Sequence, residues 1–256
     1  MIGQLYLQDK LNKLTLSTLS STLLLLGDSG CGKHLFVSLM QKKLSIDVID
    51  ITENISYELI EAITLSTNTC MYVINLSKCS EKTENVILKL LEEPLNNTYL
   101  VLLARSKSNV IPTIYNRCQV WEFSTYSDDD LKYFTDDVEL MHIAKTPGNI
   151  IKYQEEYKKL NPLSLVNNII TNIKNANWAN ILVISNKIDY KESTGNINFD
   201  LFVDCLLYGF YMRIVSGENL YTGYELTKEL SNDRYIFNIN KQHLFEHYLF
   251  ELKKSI

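Results

Sequence analysis

The sequence predicts an α/β fold with a parallel sheet, followed by a small helical segment and a helical tail. Three observations carry this. In the first half, short apolar runs alternate with amphipathic stretches, the order of strands and crossover helices in a parallel sheet. A glycine-rich turn, Gly27-Asp28-Ser29-Gly30-Cys31-Gly32-Lys33, lies between the first apolar run and an amphipathic stretch, as a phosphate-cradling loop requires. Beyond Phe123 the strand signals fade, and apolar residues recur at helical spacing instead.

In chain order, strands are expected at 22–26, 47–51, 70–74, 98–104 and 120–123, and helices at 33–43, 56–66 and 83–93. Pro94 stops the last of these, because its ring cannot continue the helical ladder. Ser127, with Asp130 three residues on, has the form of a capping box that opens a helix. Thr146-Pro147-Gly148 interrupts a helical pattern that resumes over 149–160, and Asn161-Pro162 marks the next boundary. Helices then follow at 163–174, 178–189, 199–216 and 243–254, with a polar loop at 190–198 that contains Gly195. The expected domains are 1–124, 125–160 and 161–256, without tandem repeats or low-complexity segments.

With 256 residues, 46% of them hydrophobic, the chain can bury a substantial core. A net charge of -5 argues against a wholesale electrostatic grip on nucleic acid, so DNA contact is expected to be local or shared with partners. The five cysteines form no C-x-x-C pair, which points to a reducing cytoplasm and to neither zinc nor disulfides. No apolar run is long enough to span a bilayer, and the start MIGQLYLQDKL lacks the apolar core of a signal peptide.

The loop has the spacing G-x-x-x-x-G-K, with Gly27, Gly30, Gly32 and Lys33 as candidate phosphate ligands. Glycines let backbone amides turn inward around a phosphate, and the helix N-terminus adds partial positive charge. The next residue ordinarily supplies a hydroxyl to magnesium, but here it is His34, whose imidazole is a poor ligand for that ion. The third strand should end in carboxylates for metal and water, and it reads Asn75-Leu76. Hydrolysis by this chain is therefore not expected. Either the loop holds ATP or ADP without splitting it, or it is a turn kept for packing.

Two further segments carry a resemblance. Ile87-Leu88-Lys89-Leu90-Leu91-Glu92-Glu93-Pro94, then Asn97-Thr98, resembles the LLKxLEEPxxxT segment of clamp-loader AAA+ subunits. Ile111-Pro112-Thr113-Ile114-Tyr115-Asn116-Arg117-Cys118-Gln119 is similar to that family's LPTIxSRCQ, with Asn116 in place of the usual serine. The resemblance implies an AAA+ phosphate-loop domain, a helical lid and a helical collar. It also implies that Arg117 is an arginine finger, presented in trans to ATP on a neighbouring subunit. The first sensor position falls on Ser106, and the second-sensor arginine is replaced by Asn149. Positions that would read the chain's own nucleotide are altered while the one acting on a neighbour is kept, as in a delta-prime-like, non-hydrolysing type. The family's four-cysteine zinc module is absent. Implied partners are the other subunits of a hetero-oligomeric ring, expected to be a pentamer, together with a sliding clamp and primed DNA, and no membrane. The rival expectation is an ATP-hydrolysing motor subunit that relies on Lys33. A stand-alone DNA-binding factor would need a basic or helix-turn-helix appendage, which the sequence lacks.

Other candidates reduce to structure. His243 and His247 have i, i+4 spacing, but neither they nor His142 come with a recognisable third ligand. Tyr208, Tyr211, Tyr221 and Tyr224 lack the interleaved basic residues of a base-stacking groove. Asp128-Asp129-Asp130 suits the dipole of a helix's first turn.

Overall fold

The computed structural model describes residues 2–52, 55–63, 69–96, 98–190 and 196–255, without the side chains of residues 178, 181 and 182. It divides into two compact units, Met1–Asp130 with Thr146–Gly148, and Leu131–Lys145 with Asn149–Ile256.

The first unit is the α/β domain. Its strands are β1 (Thr22–Leu26), β2 (Asp47–Asp50), β3 (Cys70–Asn75), β4 (Thr98–Ala104) and β5 (Gln119–Glu122). They form one sheet in the order β2-β3-β4-β1-β5, and every pair is parallel. The helices are α1 (Leu5–Lys13), α2 (Lys33–Leu44), α3 (Tyr57–Ile63), α4 (Glu81–Glu92), α5 (Pro112–Tyr115) and α6 (Asp128–Leu131). All five residues of β1 are buried, the continuous apolar run of a parallel strand covered on both faces. Because side chains alternate, Leu24 and Leu26 join one core with Ile87, Leu90 and Leu102, while Leu23 and Leu25 join another with Phe36, Met40 and Trp121.

The expected strands agree with these to within a residue at each end. The expected helix at 56–66 is a helix at Tyr57–Ile63, and residues 64–66 of it lie outside the described residues. Helix α1 was not expected, because it buries only Leu7 while Leu5 and Tyr6 face solvent, too little for a periodic signal. The capping box at Ser127 and Asp130 is present in both directions. The Ser127 amide donates to Asp130 Oδ2 at 3.0 Å, and the Asp130 amide donates to Ser127 Oγ at 3.2 Å.

The second unit is helical, with α7 (Val138–Ala144), α8 (Pro147–Leu160), α9 (Pro162–Asn172), α10 (Trp178–Ser185), α11 (Phe199–Val215), α12 (Tyr221–Asp233) and α13 (Lys241–Ser255). Helix α11 is apolar on nearly every side and packs against α7, α9 and α12. Asn198 caps it by accepting from the amides of Asp200 and Leu201.

Three expectations change here. The helical pattern breaks after Ala144 as expected, but it resumes at Pro147, two residues earlier than expected, since a proline's missing N–H costs nothing in the first turn. The helix expected over 178–189 stops at Ser185, whose carbonyl accepts from the Tyr190 hydroxyl at 3.1 Å. The chain continues as β6 (Ile188–Asp189), paired in parallel with β7 (Ile197–Asn198), so the expected loop at 190–198 ends in a strand, while residues 191–195 of that loop lie outside the described residues. Helix α12 is additional, and its buried face is made of Gly223, Thr227 and Leu230, which gives little apolar contrast.

Candidate functional site

The phosphate loop begins where β1 ends. Gly27 is tightly enclosed, because a Cβ there would lie 2.7 Å from both Cys31 Sγ and Phe123 Cβ. Gly30 and Gly32 have φ of 75° and 99°, left-handed values that favour glycine. Gly32 then caps α2 without any side-chain partner, so the first amides of α2 remain available to an anion.

Every carbonyl from Gly27 to Cys31 is accounted for. The Lys33 ammonium donates to Gly27 O and, at 2.9 Å, to Asp28 O. Thr146 Oγ1 donates to Ser29 O at 2.8 Å, the Gly148 amide to Gly30 O at 2.9 Å, and the Tyr126 hydroxyl to Cys31 O at 2.6 Å. A Cβ on Gly148 would come within 2.7 Å of both Cα and O of Gly30, so glycine is what allows this approach. The loop is thus held in shape by its own lysine and by residues far along the chain. Burial pushes the Lys33 ammonium below its ordinary pKa, an effect partly offset by Cys31 and Asp28.

The metal side is a different matter. His34 is exposed and turns toward Asp50 at the end of β2, with Nδ1 3.3 Å from Oδ2. Burial opposes ionisation of Asp50, but the Thr52 hydroxyl and amide, with His34, outweigh it and hold the carboxyl below its ordinary range. Asn75 is committed to a local turn, accepting from the amide and hydroxyl of Ser77 at 3.1 and 2.7 Å. Leu76, where a second carboxylate would be needed, is buried in the core. Ser106 bonds within its own turn to Ser108 and Asn109, and Asn149 donates to Ala144 O at 3.3 Å. The loop therefore has the backbone form of a phosphate cradle, with the Lys33 ammonium turned onto its own carbonyls, but the groups around it do not fit a magnesium ion. Among the described residues no cluster of histidine, cysteine, aspartate and glutamate could hold a metal, and the five cysteines are free.

Arg117 lies elsewhere. It follows the short helix α5, which Pro112 opens, and it precedes β5. Its amide donates to Ile114 O, and its carbonyl accepts from Thr22 Oγ1 at 2.9 Å, which ties it to the start of β1. The phosphate loop follows the end of that strand, roughly 16 Å away at the usual rise per residue. The guanidinium is exposed, with Nη1 donating to Thr113 O and Nη2 to Glu92 Oε1, both at 2.9 Å. Gly27, Gly30, Gly32, Lys33 and His34 thus come together beyond the C-terminal end of β1, and Arg117 stands at the start of that strand. Sequence reasoning missed Tyr126 and the role of the Thr146 hydroxyl, because both act across more than ninety residues.

Comparison with known proteins adds the family context. Residues 36–127 match the family model described as DNA polymerase III, delta subunit. A 62-residue stretch is 42% identical to the DNA polymerase III subunit delta-prime of Haemophilus influenzae, covering 24% of this chain and 19% of that protein. A DNA polymerase III gamma subunit-related protein of Thermotoga maritima superposes with a TM-score of 0.53 at 14% identity, covering 97% of this chain and 98% of the other. A single-substitution variant of Thermotoga maritima RuvB gives 0.54 at 18% identity, covering 98% and 88%. These two likenesses establish the AAA+ fold. In sequence, part of the α/β unit is thus similar to the delta and delta-prime subunits of DNA polymerase III, and the likeness of the rest of the chain is one of fold.

Proposed function

We propose that the chain is a non-hydrolysing subunit of a sliding-clamp loader acting in DNA replication, and that it lends Arg117 to ATP bound by the adjacent subunit. What supports this reading most is a separation. An exposed guanidinium stands at the opposite end of β1 from the chain's own phosphate loop, and that loop lacks a hydroxyl and carboxylates for magnesium. A guanidinium stays charged and can stabilise the charge that spreads over transferring phosphoryl oxygens. At this distance it cannot serve its own loop, so its target is a neighbour's. In this reading 125–160 is a lid and 161–256 a collar within a hetero-oligomeric ring around primed DNA and the clamp. DNA is held by backbone tracking shared among subunits.

The intact loop favours one refinement, that ATP or ADP is bound and not split. The alternative, a hydrolysing motor subunit, would need a metal ligand that His34, Asn75 and Leu76 do not supply. The two are separated with the purified chain alone. Magnesium-dependent ATP turnover is expected to be absent, with Lys33→Ala changing nothing; turnover abolished by Lys33→Ala would establish the motor reading instead.

A further inference from the structure

We infer that Glu92 is a positioning residue for Arg117, holding its guanidinium in an outward pose before any neighbour arrives; this rests on the reading of Arg117 as a donor in trans. Glu92 ends α4 and Arg117 follows α5, so two elements separated by β4 converge on one side chain. Glu92 Oε1 takes Nη2, and the Thr113 carbonyl takes Nη1, each at 2.9 Å. Two contacts on different nitrogens fix the plane of a rigid, planar fork. The backbone beneath is anchored as well, through Ile114 O and the Thr22 hydroxyl.

A guanidinium has five N–H donors, and among the described residues two of them are engaged here. The rest remain for a phosphate, so a triphosphate can bind without displacing Glu92. An arginine already held has given up its rotamer freedom before the encounter, and this lowers the entropic cost of reaching the productive geometry. The pair is exposed on both sides, at 38% and 54% of the side-chain surface. Its value to folding is accordingly small, and its effect is expected in catalysis next door.

The test uses the assembled loader with ATP, clamp and primed DNA, comparing Glu92→Ala, Glu92→Gln, Arg117→Ala and the double variant. Glu92→Ala is expected to lower the neighbour's kcat by about tenfold, the scale of a lost orienting contact, with KM for ATP unchanged. Glu92→Gln, which keeps an oxygen acceptor, should recover most of that loss. In the Arg117→Ala background, Glu92→Ala should cost nothing further, because the two act as one unit. An equal loss in both backgrounds, or no loss with Arg117 present, overturns the role of Glu92 while leaving the donor reading intact. Should Arg117→Ala alone leave the rate unchanged, the donor reading itself fails, and Glu92 with it. The unfolding midpoint of the chain and ring assembly should be unaffected by Glu92→Gln.

Discussion

His34 shows how one side chain redirects a site. A serine or threonine there would sit against magnesium, whereas the imidazole faces the Asp50 carboxylate. Gly148 is as specific in the opposite direction, since only a missing Cβ lets its backbone meet Gly30. Gly148→Ala should therefore displace the phosphate loop and cost about 1–3 kcal/mol, the usual penalty of forcing atoms into a filled space. Chemical denaturation followed with a probe in the α/β unit checks this, and an unchanged midpoint would mean that the loop yields freely. The glycines, Lys33 and Arg117 were legible in the sequence, because each belongs to a local pattern whose spacing is its meaning. Tyr126, the Thr146 hydroxyl and the pairing of Glu92 with Arg117 were not, since nothing in their neighbours along the chain specifies a distant partner.

Among elements, β1, β3 and β4 could be read almost to the residue, because each is a short apolar run buried along nearly its whole length, whereas β2 and β5 are largely exposed and carry a weaker signal. Helix α12 could not, because two of the three residues of its buried face are a glycine and a threonine. Thr227 shares a 2.8 Å hydrogen bond with the buried Tyr248, and Gly223 makes room for Phe210. Nor could the pair that locks α11 to the end of α12, where Arg234 Nη2 meets Asp204 Oδ1 at 2.6 Å and Nη1 donates to Asp200 O. Burial pushes the Asp204 carboxyl up, and Arg234 works against that push. Asp204→Ala strands a buried guanidinium and should destabilise the helical unit by about 3–5 kcal/mol. Asn198→Ala, which removes only the cap of α11, should cost about 1 kcal/mol. Far-UV circular dichroism during thermal unfolding ranks the two, and a reversed order would contradict the assignment of the ion pair to the core.

At the scale of the molecule, a net charge of -5 argues against a wholesale electrostatic grip on nucleic acid. The phosphate loop and Arg117 stand at opposite ends of β1, and the proposed donation in trans is built on that separation. No helix among the described residues is long and apolar enough to cross a membrane. The most direct test is a reconstituted ring in which every ATPase subunit except the one beside this chain carries a substituted phosphate-loop lysine, so that a single site turns over. With Arg117→Ala, DNA- and clamp-stimulated hydrolysis at that site should fall by about 10³-fold or more, as when a trans-acting arginine is lost, while the ring still assembles. A turnover rate equal to that of the unsubstituted ring would contradict the donation of Arg117 to its neighbour.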